Sequence, residues 1–282
     1  MFPEKPRYIN AGGRLIDLEI PRVMGILNIT PDSFYPGSRF NNDKEILRAA
    51  TKMLEDGADI LDVGGYSSRP GAKDISAEEE SNRVLRVIKL LSLEYPDAVI
   101  SVDTFRAEIA REAVLSCGAL MINDISGGDA DKNMFQVVED LNVPYVMMHM
   151  KGVPQTMQNK PVYDDIVAEI LRWFGDRIFK LKEAGVKDII IDPGFGFGKT
   201  IEHNFELLKR LNDFSIAGLP VLVGISRKSM IWKTLNIDAE AALNGTTALN
   251  TLALLNGADI LRVHDVKEAV EAVKLVSRIR KS

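Results

Sequence analysis

Several polar residues stand at or just past the ends of short apolar runs: Asn28, Asp103, Asn123, Asp192, Lys228, Arg262 and His264. Asp103, Asn123 and Asp192 together offer acceptors and an amide. That set suits a flat heterocycle with several N–H and C=O groups, such as a pterin or purine, because a carboxylate takes a 2-amino-pyrimidinone edge through two parallel hydrogen bonds. Arg262 and His264, two residues apart, face the same way on a strand. With Asn28 nearby they suit a phosphate or pyrophosphate; a bland alternative pairs Arg262 with Asp265 at the rim. Singly, each residue reads equally well as a helix cap or a satisfied buried polar group. Their weight comes from a shared location.

The segment Asp192-Pro193-Gly194-Phe195-Gly196-Phe197-Gly198-Lys199-Thr200 approaches a phosphate loop, but Pro193 stands where that pattern needs glycine. Its glycines read instead as room for a ligand against the backbone, with Phe195 or Phe197 as an apolar wall.

The elements that must position these groups show in the hydrophobic pattern. Eight apolar runs occur, at Val23–Ile29, Asp59–Gly64, Val99–Val102, Leu120–Asn123, Tyr145–His149, Asp188–Asp192, Val221–Ile225 and Ile260–Val263. They barely alternate with polar residues, as expected of parallel strands covered on both faces. Helical periodicity fills the gaps, over Lys44–Glu55, Ala77–Leu93, Arg106–Ser116, Asn133–Leu141, Asp164–Ala184, Ile201–Leu211, Ala239–Asn256 and Val266–Arg280. Asn42, Ser76 and Asp265 each precede a Glu by three residues, the spacing of a capping box. Gly57, Gly118, Gly185 and Gly257 close helices before the next strand. Eight such units with no change of composition predict a single α/β domain over 1–282, a (β/α)8 TIM barrel, in preference to an open doubly wound sheet. Gly12-Gly13 between short apolar runs predicts an N-terminal β-hairpin within residues 7–20, a plug for the barrel bottom. In this fold, polar residues at the C-terminal strand ends read as catalytic. Long segments after the first two strands, 30–41 and 67–74, read as lids or substrate clamps.

Bulk properties exclude other classes. A net charge of −5 argues against a nucleic-acid footprint. The single cysteine, Cys117, rules out an internal disulfide or a cysteine metal site and reads as a buried thiol. No apolar stretch reaches the ~18 residues of a membrane span, and no signal core opens the chain, so the expected compartment is the cytoplasm.

A resemblance rests on an ordered set of motifs. These are Gly25-Ile26-Leu27-Asn28-Ile29-Thr30-Pro31-Asp32-Ser33-Phe34, Ser68-Arg69-Pro70-Gly71-Ala72, Ser101-Val102-Asp103-Thr104, Ile122-Asn123-Asp124-Ile125-Ser126-Gly127, Asp192–Lys199, Ser226-Arg227-Lys228-Ser229 and Arg262-Val263-His264-Asp265. Together they resemble the dihydropteroate synthase family. The resemblance implies a transferase of folate biosynthesis, a sulfonamide target, that condenses 6-hydroxymethyl-7,8-dihydropterin pyrophosphate with 4-aminobenzoate. It implies catalytic roles for Asp103, Asp192, Lys228, Arg262 and His264. Asp103, Asn123, Asp192, Lys228 and Met147 would bind the pterin. Asn28, Ser68, Arg69, Arg262 and His264 would hold pyrophosphate, Asn28 also serving Mg²⁺. Phe34, Arg69, Pro70, Phe197, Lys228 and Ser229 would form the aminobenzoate site. It further implies a homodimer through the last helices, where Ala241–Leu255 is strongly apolar. The chain departs from the family at Tyr35-Pro36 and Tyr66, where acidic residues are common. Alternatives are a pterin-dependent methyltransferase domain and a non-catalytic pterin-binding protein.

Overall fold

A computed structural model describes residues 5–29, 41–67, 74–152, 157 and 161–281. The apolar runs become strands, and the strands form one parallel sheet. In chain order the elements are β1 (Tyr8–Ala11), β2 (Arg14–Asp17), β3 (Arg22–Asn28), α1 (Asn41–Glu55), β4 (Ile60–Gly64), α2 (Ala77–Glu94), β5 (Val99–Asp103), α3 (Ala107–Cys117), β6 (Met121–Asp124), α4 (Met134–Leu141), β7 (Tyr145–Met148), α5 (Ile166–Glu183), β8 (Ile189–Asp192), α6 (Ile201–Lys209), β9 (Leu222–Val223), α7 (Ser229–Leu235), α8 (Leu243–Leu255), β10 (Ile260–Val263) and α9 (Val266–Lys281). The sheet runs β8-β7-β6-β5-β4-β3-β10-β9. Its two edges meet where Ile191 bridges Val221 and donates its N–H to the Pro220 carbonyl at 2.9 Å. The expected eight-stranded barrel with helices between its strands is therefore present.

Side chains leave each strand alternately inward and outward, and the core divides accordingly. The outward set, including Val23, Leu61, Val102, Ile122, Met147, Ile191, Val223 and Val263, packs with the helices. The inward set Met24, Ile60, Val99, Met121, Val146, Ile190, Leu222 and Ile260 forms a separate cluster with Ile9, Ala11 and Ile16 of the hairpin. The hairpin thus plugs the barrel bottom. Gly12 and Gly13 both take positive φ, 60° and 89°, as a two-residue turn matched to the strand twist requires. Arg14 donates to the Ala98 carbonyl at 3.0 Å, and Asp188 accepts from Asn10 N–H at 3.2 Å, fastening the plug to the rim.

Helix starts differ in part from expectation. Ser76 caps α2 by accepting from Glu79 N–H at 3.1 Å. Asn42, however, lies inside α1, which already begins at Asn41. Asp265 precedes α9, but its carboxylate receives the Arg227 guanidinium at 2.9 and 2.7 Å. A full capping box forms instead at Thr200 and His203. The short α7 has no counterpart among the expected helices; seven residues are too few to show a helical period. Cys117 is buried, as expected. Among the described residues no helix is long and apolar enough to cross a membrane.

The plug makes a separable contribution to stability. Ile9→Ala, which removes a side chain that is 1 % exposed, is expected to cost roughly 2–4 kcal/mol. Urea unfolding reads that loss as a lower midpoint with an unchanged slope.

Candidate active site

Two residues above the apolar layer, each strand presents its next inward position. There the barrel turns polar: Asp62 on β4, Ser101 on β5, Asn123 on β6, Asp192 on β8 and Arg262 on β10 are all inward by the same alternation. Asp103 follows one step higher on β5, beside Asn123 in the ladder. Gly64 and Gly224 lie among these positions without side chains. A Cβ at Gly64 would press on the Asp103 carboxylate at 3.2 Å, and one at Gly224 would come within 4.0 Å of Lys228 Nζ. The glycines leave room for charged groups.

The centre is an ion-pair bridge. Arg262 Nε donates to Asp62 Oδ2 at 2.6 Å and Arg262 Nη2 donates to Asp103 Oδ2 at 2.5 Å. Asp62 Oδ2 also accepts from Asn123 Nδ2 at 2.9 Å. Asp62 Oδ1 and Ser101 Oγ are buried with no hydrogen-bond partner among the described residues. Burial pushes the Asp103 carboxyl up to about 7; Arg262 opposes this, while Asp62 adds to it. Burial also raises Asp192, against the pull of Lys228. Lys228 is pushed down to about 8 by burial, with Asp192 resisting. For Arg262 burial favours the neutral form, but Asp62 and Asp103 outweigh it and hold the guanidinium charged. The site therefore gathers three carboxylates, Asp62, Asp103 and Asp192, with the cations Arg262 and Lys228, and Lys199 lies close enough to act on Asp192 as well.

Lys228 reaches this layer because of its neighbour. Arg227 takes the left-handed conformation at φ 55°, unusual for a residue with a side chain. Its bidentate pair with Asp265 and its N–H bond to Thr246 Oγ1 at 3.1 Å hold it there. The chain thereby turns Lys228 inward, where Nζ donates to the Phe195 carbonyl and lies 4.6 Å from the centre of the Phe197 ring. On the other side Ser226 Oγ accepts from His264 N–H at 3.2 Å and is hydrogen-bonded to His264 Nδ1 at 3.0 Å.

The expected residues are thus placed as follows. Asp103, Asn123, Asp192, Lys228, Arg262 and Phe197 converge. Asn28 ends β3 and is half-buried; Ser229 opens α7, also half-buried; His264 is exposed at the rim with Ser226. Met147 does not converge: it faces the helices within the outer core, and Met148 is the inward residue of β7. The error is one of register, since a strand shows alternate residues to opposite faces. The rim pairing of Arg262 with Asp265 is also wrong, because Arg227 takes that partner. Phe34, Ser68, Arg69 and Pro70, and the departures Tyr35 and Pro36, lie outside the described residues. Tyr66 is described and stacks edge-on against Phe105 at 5.0 Å.

Asp62 is the residue that sequence reading missed. A signal was available: a carboxylate in the middle of Ile60-Leu61-Asp62-Val63-Gly64, two residues from the inward Ile60, is a buried charge that needs a partner.

A polar, ion-paired floor at the C-terminal mouth of a parallel barrel defines a small-molecule enzyme that grips a flat, hydrogen-bonding ligand. Residues 24–264 match the model of the pterin binding enzyme family. The dihydropteroate synthase of Escherichia coli K12 is 44 % identical over 268 residues, covering 94 % of each chain. Two solved structures superpose closely. The Yersinia pestis dihydropteroate synthase with a sulfonamide drug complex has a TM-score of 0.91 at 41 % identity, covering 98 % of this chain and 100 % of that one. The Xanthomonas albilineans enzyme in complex with 7,8-dihydropteroate has a TM-score of 0.87 at 37 % identity, covering 98 % and 99 %. The chain belongs to the pterin binding enzymes and, within them, to the dihydropteroate synthases.

The bridge has a measurable signature. Arg262→Met strands two buried carboxylates and is expected to cost roughly 3–5 kcal/mol of stability at pH 8. At pH 5 the loss is smaller. Asp103, already raised to about 7 and raised further without Arg262, is then neutral and no longer needs the cation. Urea midpoints at the two pH values test this; equal losses would show that the bridge does not carry the charge balance.

Proposed function

We infer that this chain condenses 6-hydroxymethyl-7,8-dihydropterin pyrophosphate with 4-aminobenzoate to give 7,8-dihydropteroate and pyrophosphate, a step of folate synthesis, and that the polar layer is where it does so. The observation that carries this reading is the ring of Asp62, Asp103, Asn123, Asp192, Lys228 and Arg262 above an apolar plug, with Asp62 Oδ1 and Ser101 Oγ without partners among the described residues. A pterin supplies donors and acceptors around its edge, and this ring supplies their complements.

Roles follow from charge. Asp103, Asn123 and Asp192 take the pterin edge, and Lys228 serves both the pterin and the aminobenzoate, with Phe197 and Ser229 beside it. When the methylene carbon–oxygen bond breaks, pyrophosphate leaves with the electron pair and positive charge spreads into the pterin. The carboxylates placed at the pterin edge, Asp103 and Asp192, stabilise that charge. The arylamine nitrogen then bonds to the methylene carbon and loses a proton. At pH 7 it is a neutral nucleophile and needs positioning more than activation.

Arg262, His264 and Asn28 form the pyrophosphate end. Arg262 is committed to Asp62 and Asp103, so it couples the leaving-group side to the pterin side rather than gripping phosphate alone. Among the described residues no cluster of three or more His, Cys, Asp or Glu could cage a metal. One amide, Asn28, together with substrate oxygens and water fits Mg²⁺, which keeps most of its waters and prefers phosphate. Mg²⁺ so held supplies charge neutralisation to the departing pyrophosphate.

Purified protein with both substrates and Mg²⁺ is expected to release dihydropteroate; absence of product would overturn the reading. Its kcat/KM for the pterin substrate is expected to rise through about pH 7 as Asp103 ionises and to fall through about pH 8 as Lys228 loses its proton. Asp103→Asn should remove the acid limb and Lys228→Met the alkaline one.

A homodimer through the C-terminal helices is supported by the side chains that α8 and α9 expose: Leu252, Leu255, Leu275 and Ile279 are 47–69 % accessible. Sedimentation at micromolar concentration is expected to show a dimer, and Leu252→Lys combined with Leu275→Lys is expected to shift it to monomer.

A further inference from the structure

Lys199 is the most deeply buried cation of the molecule's working end, and the chemistry described so far gives it no task. It is 2 % exposed, in the loop that follows β8. Its three ammonium protons meet three acceptors: His149 Nδ1 at 3.0 Å, the His149 carbonyl at 3.3 Å and the Phe197 carbonyl at 3.0 Å. Burial pulls its pKa well down, and the Asp192 carboxylate is its main support as a cation. His149, 5 % exposed and edge-on to Trp173 at 5.1 Å, is pushed down to about 2 by burial and by Lys199. The imidazole is therefore neutral, with one bare nitrogen; facing an ammonium, which only donates, that nitrogen is Nδ1.

Taking an ammonium out of water is costly, and an apolar side chain would fill the same space without that cost. The seam around Lys199 shows what the charge does. At Gly194 the loop runs against the end of β7, so closely that a Cβ would overlap the His149 carbonyl oxygen. Two carbonyls, from His149 and Phe197, turn into this dry seam and need donors. The far side of the same loop carries the Phe195 carbonyl and the Phe197 ring that hold Lys228. Further out, Asn204 Oδ1 accepts from Gly196 N–H at 2.6 Å and the Gly198 carbonyl accepts from Tyr163 OH at 2.9 Å. The outer part of the loop is thus fixed by ordinary side chains, and its inner part by Lys199 together with Asp192 Oδ1, which accepts from Gly194 N–H at 2.7 Å.

We propose that Lys199, paired with His149, is a positioning residue that pins the Phe195–Phe197 arc to the end of β7 so that this arc presents Lys228 and the Phe197 ring to substrate. The inference rests on the reading of Phe197 and Lys228 as aminobenzoate contacts. Lys199 touches no reacting atom; it acts through the two loop residues.

The test uses the full chain with both substrates. Lys199→Met is expected to raise the KM for 4-aminobenzoate at least tenfold, and the KM for the pterin pyrophosphate at least three times less than that. Lys199→Gln, whose amide still donates to the two carbonyls, is expected to bring the aminobenzoate KM back within about threefold of the parent. Phe197→Ala alone is expected to raise that KM about tenfold, but by less than twofold on the Lys199→Met background. Values within twofold of the parent for folded Lys199→Met, with Phe197→Ala keeping its effect, overturn the role of Lys199 alone. No effect of Phe197→Ala overturns it together with the aminobenzoate assignment. Should Lys199→Met not fold, Lys199→Ala is measured in its place, alone and with Phe197→Ala, against the same thresholds. The pair is also read in the unaltered protein by nitrogen-15 spectra of its three histidines, assigned through His203→Gln and His264→Gln. His149 is expected to stay neutral from pH 5 to 9, and titration near its ordinary value would mean the pair does not form.

Discussion

The site depends on one guanidinium shared between two carboxylates inside the barrel. Arg262 holds Asp62 and Asp103 across three strands, since β3 stands between β10 and β4 in the sheet and β5 follows β4. Without it, two negative groups would lie together in a place that water reaches poorly, and one would take a proton. With it, both are acceptors at a fixed spacing once Asp103 ionises, at about pH 7. Asn123 joins the same carboxylate oxygen of Asp62, so a fourth strand, β6, is drawn into the arrangement.

The rest of the barrel serves this bridge. The hairpin plug and the apolar inward layer give it a dry floor. Gly64 and Gly224 give it space. Arg227, in a strained conformation held by Asp265, sends Lys228 inward and leaves Ser226 to steady His264. Strain of this kind survives only where surrounding contacts over-determine it, and it marks working sites. The loop after β8 closes the wall, with Lys199 inside it.

Chemically, the ring joins two tasks that differ in sign. In the proposed reaction its carboxylates favour positive charge developing on a pterin, while His264, Asn28 and Arg262 take the leaving anion. Because Arg262 belongs to both, changes at one end are felt at the other. That coupling is invisible when the residues are sorted into separate binding subsites.

The sequence by itself determined the barrel, because eight apolar runs separated by helical periods admit few other closures, and it determined the strand-end residues, because the chemistry of Asp103, Asn123, Asp192, Lys228 and Arg262 is written in their types and order. The hairpin plug was legible in Gly12-Gly13. Tertiary structure decided everything that depends on which face a residue shows and whom it meets. Met147 gave way to Met148 through a one-residue register that apolar runs do not encode. Asp62, hidden among aliphatic neighbours, became the keystone only when Arg262, two hundred residues later, came round the barrel to meet it. Arg227 rather than Arg262 took Asp265, and α7 was too short to announce itself. These are contacts between distant segments, fixed by barrel closure and charge balance, and a linear pattern records neither.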